Sequence, residues 1–299
     1  MNKKKSNLIK KTLKNMQNVI AFLLLISVIG LLVVVCIGPY DRVCTDISSP
    51  LNFVLHQEPN AQYSHQFVNL WVPKSWRSDE TKIPCRLDKF SESDTNLIIY
   101  SHSNFENLLS ITEFTRTLSQ TLKCSVLSYD YSGYGLNKYD RFERSADGIN
   151  TTLTTIYNYA IQKQKFESSN VILMGYSFGT GCTLQVAVEV GHIKGIVLVA
   201  AFTSILDIVK DQVSKKLGNN TGTKITSMFK ERWNNIKNIS KAKAPILLIH
   251  GKHDQMVDIK SAHKLKQMDG NITLVETEGG HTSFKWDDLS NIINHWISI

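Results

Sequence analysis

Closely spaced cysteine pairs are what this chain of 299 residues most plainly lacks. Its five cysteines are scattered at Cys36, Cys44, Cys85, Cys124 and Cys182, without the spacing that zinc sites and redox motifs require. No metal and no cofactor are therefore expected. Cys124 and Cys182 fall in segments read below as buried strand and helix, where a thiol behaves as a small apolar group. Cys44 and Cys85 are the pair available for a disulfide if the domain is lumenal. The chain also lacks internal repeats, low-complexity tracts and any basic motif interleaved with aromatics, which argues against a solenoid and against nucleic-acid binding. With 42% hydrophobic and 20% charged residues, neither disorder nor a disulfide-dense miniature fold is expected.

The formal net charge of +8 has a topological explanation. Lys3, Lys4, Lys5, Lys10, Lys11 and Lys14 precede VIAFLLLISVIGLLVVVCIG, an uncharged run over residues 19–38. Twenty helical residues span ~30 Å, enough to cross the hydrocarbon of a bilayer. The run exceeds the ~7 to 15 apolar residues of a cleaved signal peptide, so an uncleaved single-pass anchor is expected. Only Asp41 and Arg42 follow the run closely, so the positive-inside rule puts the N-terminus in the cytosol and the rest in the lumen or outside the cell. Sequons at Asn150, Asn219, Asn238 and Asn271 are compatible with that side and carry little weight. The expected organisation is a basic segment (1–18), the anchor (19–38), a juxtamembrane stretch (39–62) and one catalytic domain (63–299).

Short apolar runs alternate with longer amphipathic ones beyond the juxtamembrane stretch. That is the rhythm of strands and crossover helices in an α/β fold with a mostly parallel sheet. Strands are expected at 66–72, 96–101, 124–130, 171–175, 195–200, 246–251 and 272–277, rich enough in Val, Ile and Leu for burial on both faces. Helices are expected at 107–122, 147–164, 178–190, 259–268 and 286–296. The interval 202–243 is too long and polar for an ordinary crossover, with Gly218, Asn219, Asn220 and Gly222 in its middle. It reads as a cap inserted over the sheet edge.

The chemistry centres on Gly175-Tyr176-Ser177-Phe178-Gly179, a G-x-S-x-G motif between the strand VILMG and a helix. In that context the serine sits on a strained turn that exposes its hydroxyl, as a nucleophile requires. A serine needs an imidazole to take its proton, and the fold's chain order puts it after the acid. His263, His281 and His295 are the candidates. His263 and His295 lie inside amphipathic helices, whereas His281 follows Glu278-Gly279-Gly280 in a loop after a strand, so His281 is the expected base. Asp254 and Asp258 contend for the acid. Asp254 lies just beyond the strand ILLIHG, while Asp258 suits a helix N-cap, so Asp254 is preferred. Backbone N–H groups of Phe178 and Asn104 are the expected oxyanion donors.

YSHSNFENL, SYDYSGYGLN, LMGYSFGTG, APILLIHGKHDQMVD and EGGH resemble, in order, the signature blocks of the eukaryotic α/β-hydrolase-domain serine hydrolases. The resemblance is closest to the membrane-associated depalmitoylase-like group, with its serine aminopeptidase-like domain. It implies an α/β-hydrolase fold with the family's nucleophile, acid and base on Ser177, Asp254 and His281. It also implies structural roles for Asp130 and the turn from Ser132 to Gly135. One departure stands out: Ser103 occupies a position where the family usually has glycine, and serine is strained there if φ is positive. The expected activity is hydrolysis of acyl ester or thioester bonds in lipid-like substrates at a membrane. A serine peptidase is the alternative, and a non-catalytic interaction module is disfavoured by the complete triad. Phe202, Ile205, Leu206, Ile208 and Val209 form the apolar opening of the expected cap.

Overall fold

Apolar runs of five or six residues, too short for stable helices, form the centre of the molecule. A computed structural model describes residues 65–75, 78–137, 145–217, 219–220, 223, 231, 233–268 and 271–298. The strands are β1 (Leu70–Ser75), β2 (Ser78–Asp88), β3 (Leu97–Ser101), β4 (Ser125–Tyr129), β5 (Val171–Tyr176), β6 (Gly195–Val199), β7 (Ile246–Gly251) and β8 (Ile272–Thr277). The helices are α1 (Leu108–Leu122), α2 (Ala146–Gln162), α3 (Gly179–Val190), α4 (Ile205–Leu217), α5 (Asn235–Ile239), α6 (Lys260–Lys266) and α7 (Trp286–Ile297). The strands join in one eight-stranded sheet of order β1-β2-β4-β3-β5-β6-β7-β8, parallel from β4 to β8 and antiparallel at β1/β2 and β2/β4.

Every residue of β3, β4, β5, β6 and β7 is buried, which is why Val, Ile and Leu dominate these strands. One set of alternate side chains, including Ile98, Tyr100, Ile172, Met174, Val197, Val199, Leu247 and Ile249, packs with Leu108, Ile111, Phe114 and Leu118 of α1 and Leu289 and Ile293 of α7. The chain winds one way from β3 to β4 and the other way from β5 onward. β3 and β5 are therefore neighbours, Ser101 opposite Gly175, at the point where the winding reverses. Loops that leave such a point diverge and open a crevice beyond the strands' C-terminal ends.

One expectation needs correction, one strand was not foreseen, and one pairing reaches outside the described residues. A 3-10 turn occupies His65–Phe67, so the first strand begins at Leu70 rather than at residue 66. The eleven-residue β2 was not anticipated. Its polar residues pair with one another: Arg86 donates to both carboxylate oxygens of Asp88, at 3.0 and 2.7 Å, and Thr115 donates to Asp88 at 2.7 Å. Lastly, Cys85 of β2 is a buried free thiol, pushed well above the usual thiol range by burial, and Cys44 lies outside the described residues.

The expected anchor at 19–38 also lies outside the described residues. Among the described residues no helix is long and apolar enough to cross a membrane. Within 202–243, α4 and α5 are seen, and both stems are fixed: Ser204 bridges Asn234, and Asn235 Nδ2 donates to Phe202 O at 2.9 Å. Phe202 and Ile205 are buried at 1% and 4% exposure, so they belong to the core, whereas Leu206, Ile208 and Val209 are partly exposed.

Trp233 ties this interval to the body. It is fully buried, meets Phe178 edge to face at 4.9 Å, lies where any Cβ on Gly181 would be, and donates from Nε1 to Asn150 Oδ1 at 2.9 Å. Trp233→Ala should cost about 3–5 kcal/mol in urea unfolding, the range for large aromatics removed from cores. A loss below about 1 kcal/mol would contradict this placement.

Candidate active site

The β5 strand runs directly toward α3, leaving only Ser177 and Phe178 for the reversal. Ser177 is held at φ 51°, a left-handed conformation costing a non-glycine residue on the order of 1–3 kcal/mol. Its neighbours make this possible. A Cβ on Gly175 would lie 2.5 Å from Gly179 O, and one on Gly179 would lie 2.1 Å from Ser101 O. Ser177 N–H donates to Val199 O at 2.8 Å and Ser177 O accepts from Thr180 N–H at 3.0 Å, so the strained residue is bonded on both sides.

Two later loops meet this serine. Ser177 Oγ lies 2.9 Å from His281 Nε2, and His281 Nδ1 lies 2.7 Å from Asp254 Oδ2. The bonds fix the tautomer: Nδ1–H donates to the carboxylate, leaving Nε2 to accept from the serine hydroxyl. The loops are joined where a Cβ on Gly251 would lie 2.4 Å from Gly279 O, and His253 N–H donates to Gly279 O at 3.1 Å. Tyr176 stacks on His281 and donates from its hydroxyl to His281 O. The Asp254 carboxyl is pushed up by burial, yet the His250 and His281 rings and the Val257 amide outweigh this and hold it well below the usual carboxylate range. Its other oxygen accepts from Met256 and Val257 N–H, both at 2.8 Å.

Asn104 sits in the turn after β3, beside the elbow because β3 and β5 are paired. The Phe178 and Asn104 amides have no acceptor among the described residues. His102 is fully buried against Tyr131, 4.0 Å between rings, and burial lowers its pKa to about 4 although its Nδ1 bonds Ser103 O at 2.8 Å. It is therefore a neutral donor that shapes the turn. Asp130 fastens the same region, accepting from Leu108 N–H at 3.0 Å and Leu136 N–H at 3.1 Å, while Gly135, at φ 48°, leaves no room for a Cβ against it. Among the described residues no group of three or more His, Cys, Asp or Glu is placed to hold a metal.

Known proteins share this arrangement of strands and loops. Residues 150–285 match the prolyl oligopeptidase family. The chain is 26% identical over 224 residues to human α/β-hydrolase domain-containing protein 17B, covering 73% of this chain and 71% of that protein. It is 24% identical over 205 residues to protein 17C of Xenopus tropicalis, covering 68% and 61%. Among solved structures it resembles Est1E of Butyrivibrio proteoclasticus, bound to ferulic acid, with TM-score 0.59, 14% identity and coverage of 77% and 98%. An enol-lactonase of Burkholderia xenovorans gives TM-score 0.56 at 15% identity, covering 74% and 98%. The chain has the α/β-hydrolase fold. The resemblance to α/β-hydrolase-domain proteins read from its motifs stands.

The rejected candidates lie elsewhere in the fold. His263 bonds Glu276 at 2.9 Å on the surface, and His295 is exposed on α7, beside a groove at the opposite ends of β5 and β7. Asp258 accepts from Lys260 N–H at 2.9 Å but stands one residue before the N-cap, which is Ile259, so the capping expected of it is not seen. Sequence reasoning missed two residues. His250 is fully buried 3.4 Å from Asp254 Oδ2, bonding Val257 O at 2.8 Å, and its position directly before Gly251 in the strand was the available signal. Glu106 carried no signal, since a glutamate beside a turn is ordinary.

The strain anticipated at Ser103 is absent. Among the described non-glycine residues, φ is positive only at Lys123, Lys165, Ser177 and Ala200. Ser103→Gly should therefore relieve nothing and should lower stability by about 0.5–1 kcal/mol through the freer unfolded chain. A higher melting temperature for that variant would mean that serine is strained after all.

Proposed function

We propose that this protein is a membrane-anchored serine hydrolase that cleaves acyl ester or thioester bonds of lipid-like substrates. The observation that carries the reading is the relay from Ser177 Oγ through His281 to Asp254, 2.9 and 2.7 Å, built on a strained serine. Ser177 Oγ attacks the acyl carbonyl carbon while its proton passes to His281 Nε2. The imidazolium then protonates the departing alkoxide or thiolate, leaving an acyl-serine. Water, deprotonated by His281, attacks that ester; the acid leaves and the proton returns to Ser177. Asp254, held well below the usual carboxylate range, stays ionised throughout and offsets the imidazolium charge. Phe178 and Asn104 amides receive the oxyanion.

Apolar side chains at the loops favour acyl substrates. Phe105, 50% exposed, follows Asn104, and Met256, 45% exposed, lies two residues beyond Asp254. Large exposed hydrophobics on the very loops that carry the site suit a hydrocarbon chain better than water. Leu206, Ile208 and Val209 on α4 are partly exposed and available to contact it, Leu206 and Val209 one helical turn apart on one face, whereas Ile205 is in the core. The match to the prolyl oligopeptidase family favours a second reading, a serine peptidase of aminopeptidase-like type, served by the same triad.

The lysine-flanked run at 19–38 supports membrane anchorage with a lumenal or extracellular domain. A depalmitoylase requires the opposite side, so a lumenal domain points to lysophospholipid or monoacyl lipid hydrolysis. Protease protection on sealed microsomes decides between them: cleavage of the domain from outside would restore the depalmitoylase reading.

Ser177→Ala and His281→Ala should each abolish turnover of p-nitrophenyl esters with folding intact, and Asp254→Asn should lower it about 10⁴-fold. Asp258→Asn should leave it unchanged; the reverse result would move the acid to Asp258. Peptide amides hydrolysed faster than any ester or thioester would select the peptidase reading.

Acyl chains that meet an apolar wall should gain up to ~0.8 kcal/mol per buried CH₂, or roughly fourfold in kcat/KM, until the pocket is filled. Replacing Leu206 and Val209 together with serine should flatten that rise while sparing an acetyl ester. An unchanged chain-length profile, measured below micelle concentrations, would remove α4 from substrate selection.

A further inference from the structure

The turn beside the elbow is clamped by a side chain outside the Ser177–His281–Asp254 relay. Ser103 N–H donates to Glu106 Oε2 at 2.8 Å. Ser103 O accepts from Glu106 N–H at 3.3 Å and from His102 Nδ1 at 2.8 Å. Among the described residues no peptide bond is cis, so the Ser103 carbonyl and the Asn104 N–H point in opposite directions across one planar peptide. Holding Ser103 at both its amide and its carbonyl therefore fixes where the Asn104 N–H points. The next residue anchors the clamp: Asn107 caps α1, with Asn107 Oδ1 accepting from Ser110 N–H at 3.1 Å and Ser110 Oγ accepting from Asn107 N–H at 3.0 Å.

The charge of Glu106 also acts on the relay. The ionisable groups around it are Tyr100 on β3, Tyr176 at the end of β5 and His281 in the loop after β8. Its negative charge favours a positive ring at His281 and disfavours ionisation of either tyrosine.

We propose that Glu106 is a positioning residue for the hydrolysis reaction: its carboxylate holds the Asn104 amide in line for the oxyanion and its charge supports the imidazolium at His281. The assignment rests on the hydrolase reading above. Burial pushes the Glu106 carboxyl up from the ordinary glutamate range, against the lowering effect of its bonds to Ser103. The anion is thus lost earlier than usual as pH falls, and both effects weaken together on the acid side.

Two substitutions separate the effects. Glu106→Gln keeps an acceptor oxygen for Ser103 N–H but removes the charge, whereas Glu106→Ala removes both. Full-length wild type, both variants and Ser177→Ala are assayed in parallel on p-nitrophenyl acetate across pH. Glu106→Ala should lose about 10- to 100-fold in kcat with KM within about threefold, part of what losing one oxyanion donor costs. Glu106→Gln should retain more of kcat, and the acid limb of its kcat/KM profile should move to lower pH, because no carboxylate is left at position 106 to lose its charge as pH falls. A packing role alone does not move that limb. Glu106→Ala kcat within twofold of wild type, or an unmoved limb in Glu106→Gln, would overturn the proposal. If Glu106→Ala gives no cooperative melt, the position of the Glu106→Gln limb decides alone. Wild type that hydrolyses no ester would instead overturn the hydrolase reading, and this proposal with it.

Discussion

Everything at this site depends on one backbone constraint, the left-handed turn at Ser177. A serine avoids positive φ in ordinary loops, but here φ 51° is forced by a strand that must become a helix within two residues. The strain persists because the surroundings over-determine it. Gly175 and Gly179 allow the strand, the helix and the end of β3 to approach to distances no Cβ would permit, and Val199 O and Thr180 N–H bond the serine on either side. The result is a hydroxyl standing clear of the sheet at the crevice where the winding reverses.

The remaining groups reach the hydroxyl because their loops leave neighbouring strands. The turn that carries Asn104 follows β3, next to β5; the Asp254 loop follows β7 and the His281 loop follows β8, and the last two are sewn together at Gly251, His253 and Gly279. Charge is arranged with the same economy. His102 is kept neutral by burial, Asp254 is kept ionised by two histidines and two amides, and His281 between Ser177 and Asp254 is the ring left to take the proton.

What the sequence made legible and what it hid have physical reasons. β7 and β8 fall at the expected residues, and β3 to β6 within one residue at each end, because Val, Ile and Leu concentrate in the buried parallel strands, and Ile272, Leu274 and Val275 mark the partly buried edge strand β8 as well. The G-x-S-x-G turn, the strand before Asp254 and the glycines before His281 were equally plain, since each needs a particular residue type at a particular spacing. β2 was hidden because Arg86 and Asp88 neutralise each other inside the fold, so its charges resemble those of a loop. Which residues of the cap's apolar opening face the core was not legible, since Ile205, buried at the start of α4, looks in sequence like the partly exposed Leu206 beside it. Glu106 and His250 were not foreseen as partners of the site because their roles arise from contacts across the fold, which no local pattern encodes.

The central claim is that Ser177 is the nucleophile of a hydrolase. Its most direct test is tandem mass spectrometry of the full-length protein after treatment with a fluorophosphonate. The adduct should fall on the peptide containing Ser177 and should be absent when the protein is first acid-denatured, because an unfolded serine has no base to activate it. An adduct on another residue, or equal labelling of the denatured chain, would contradict the account.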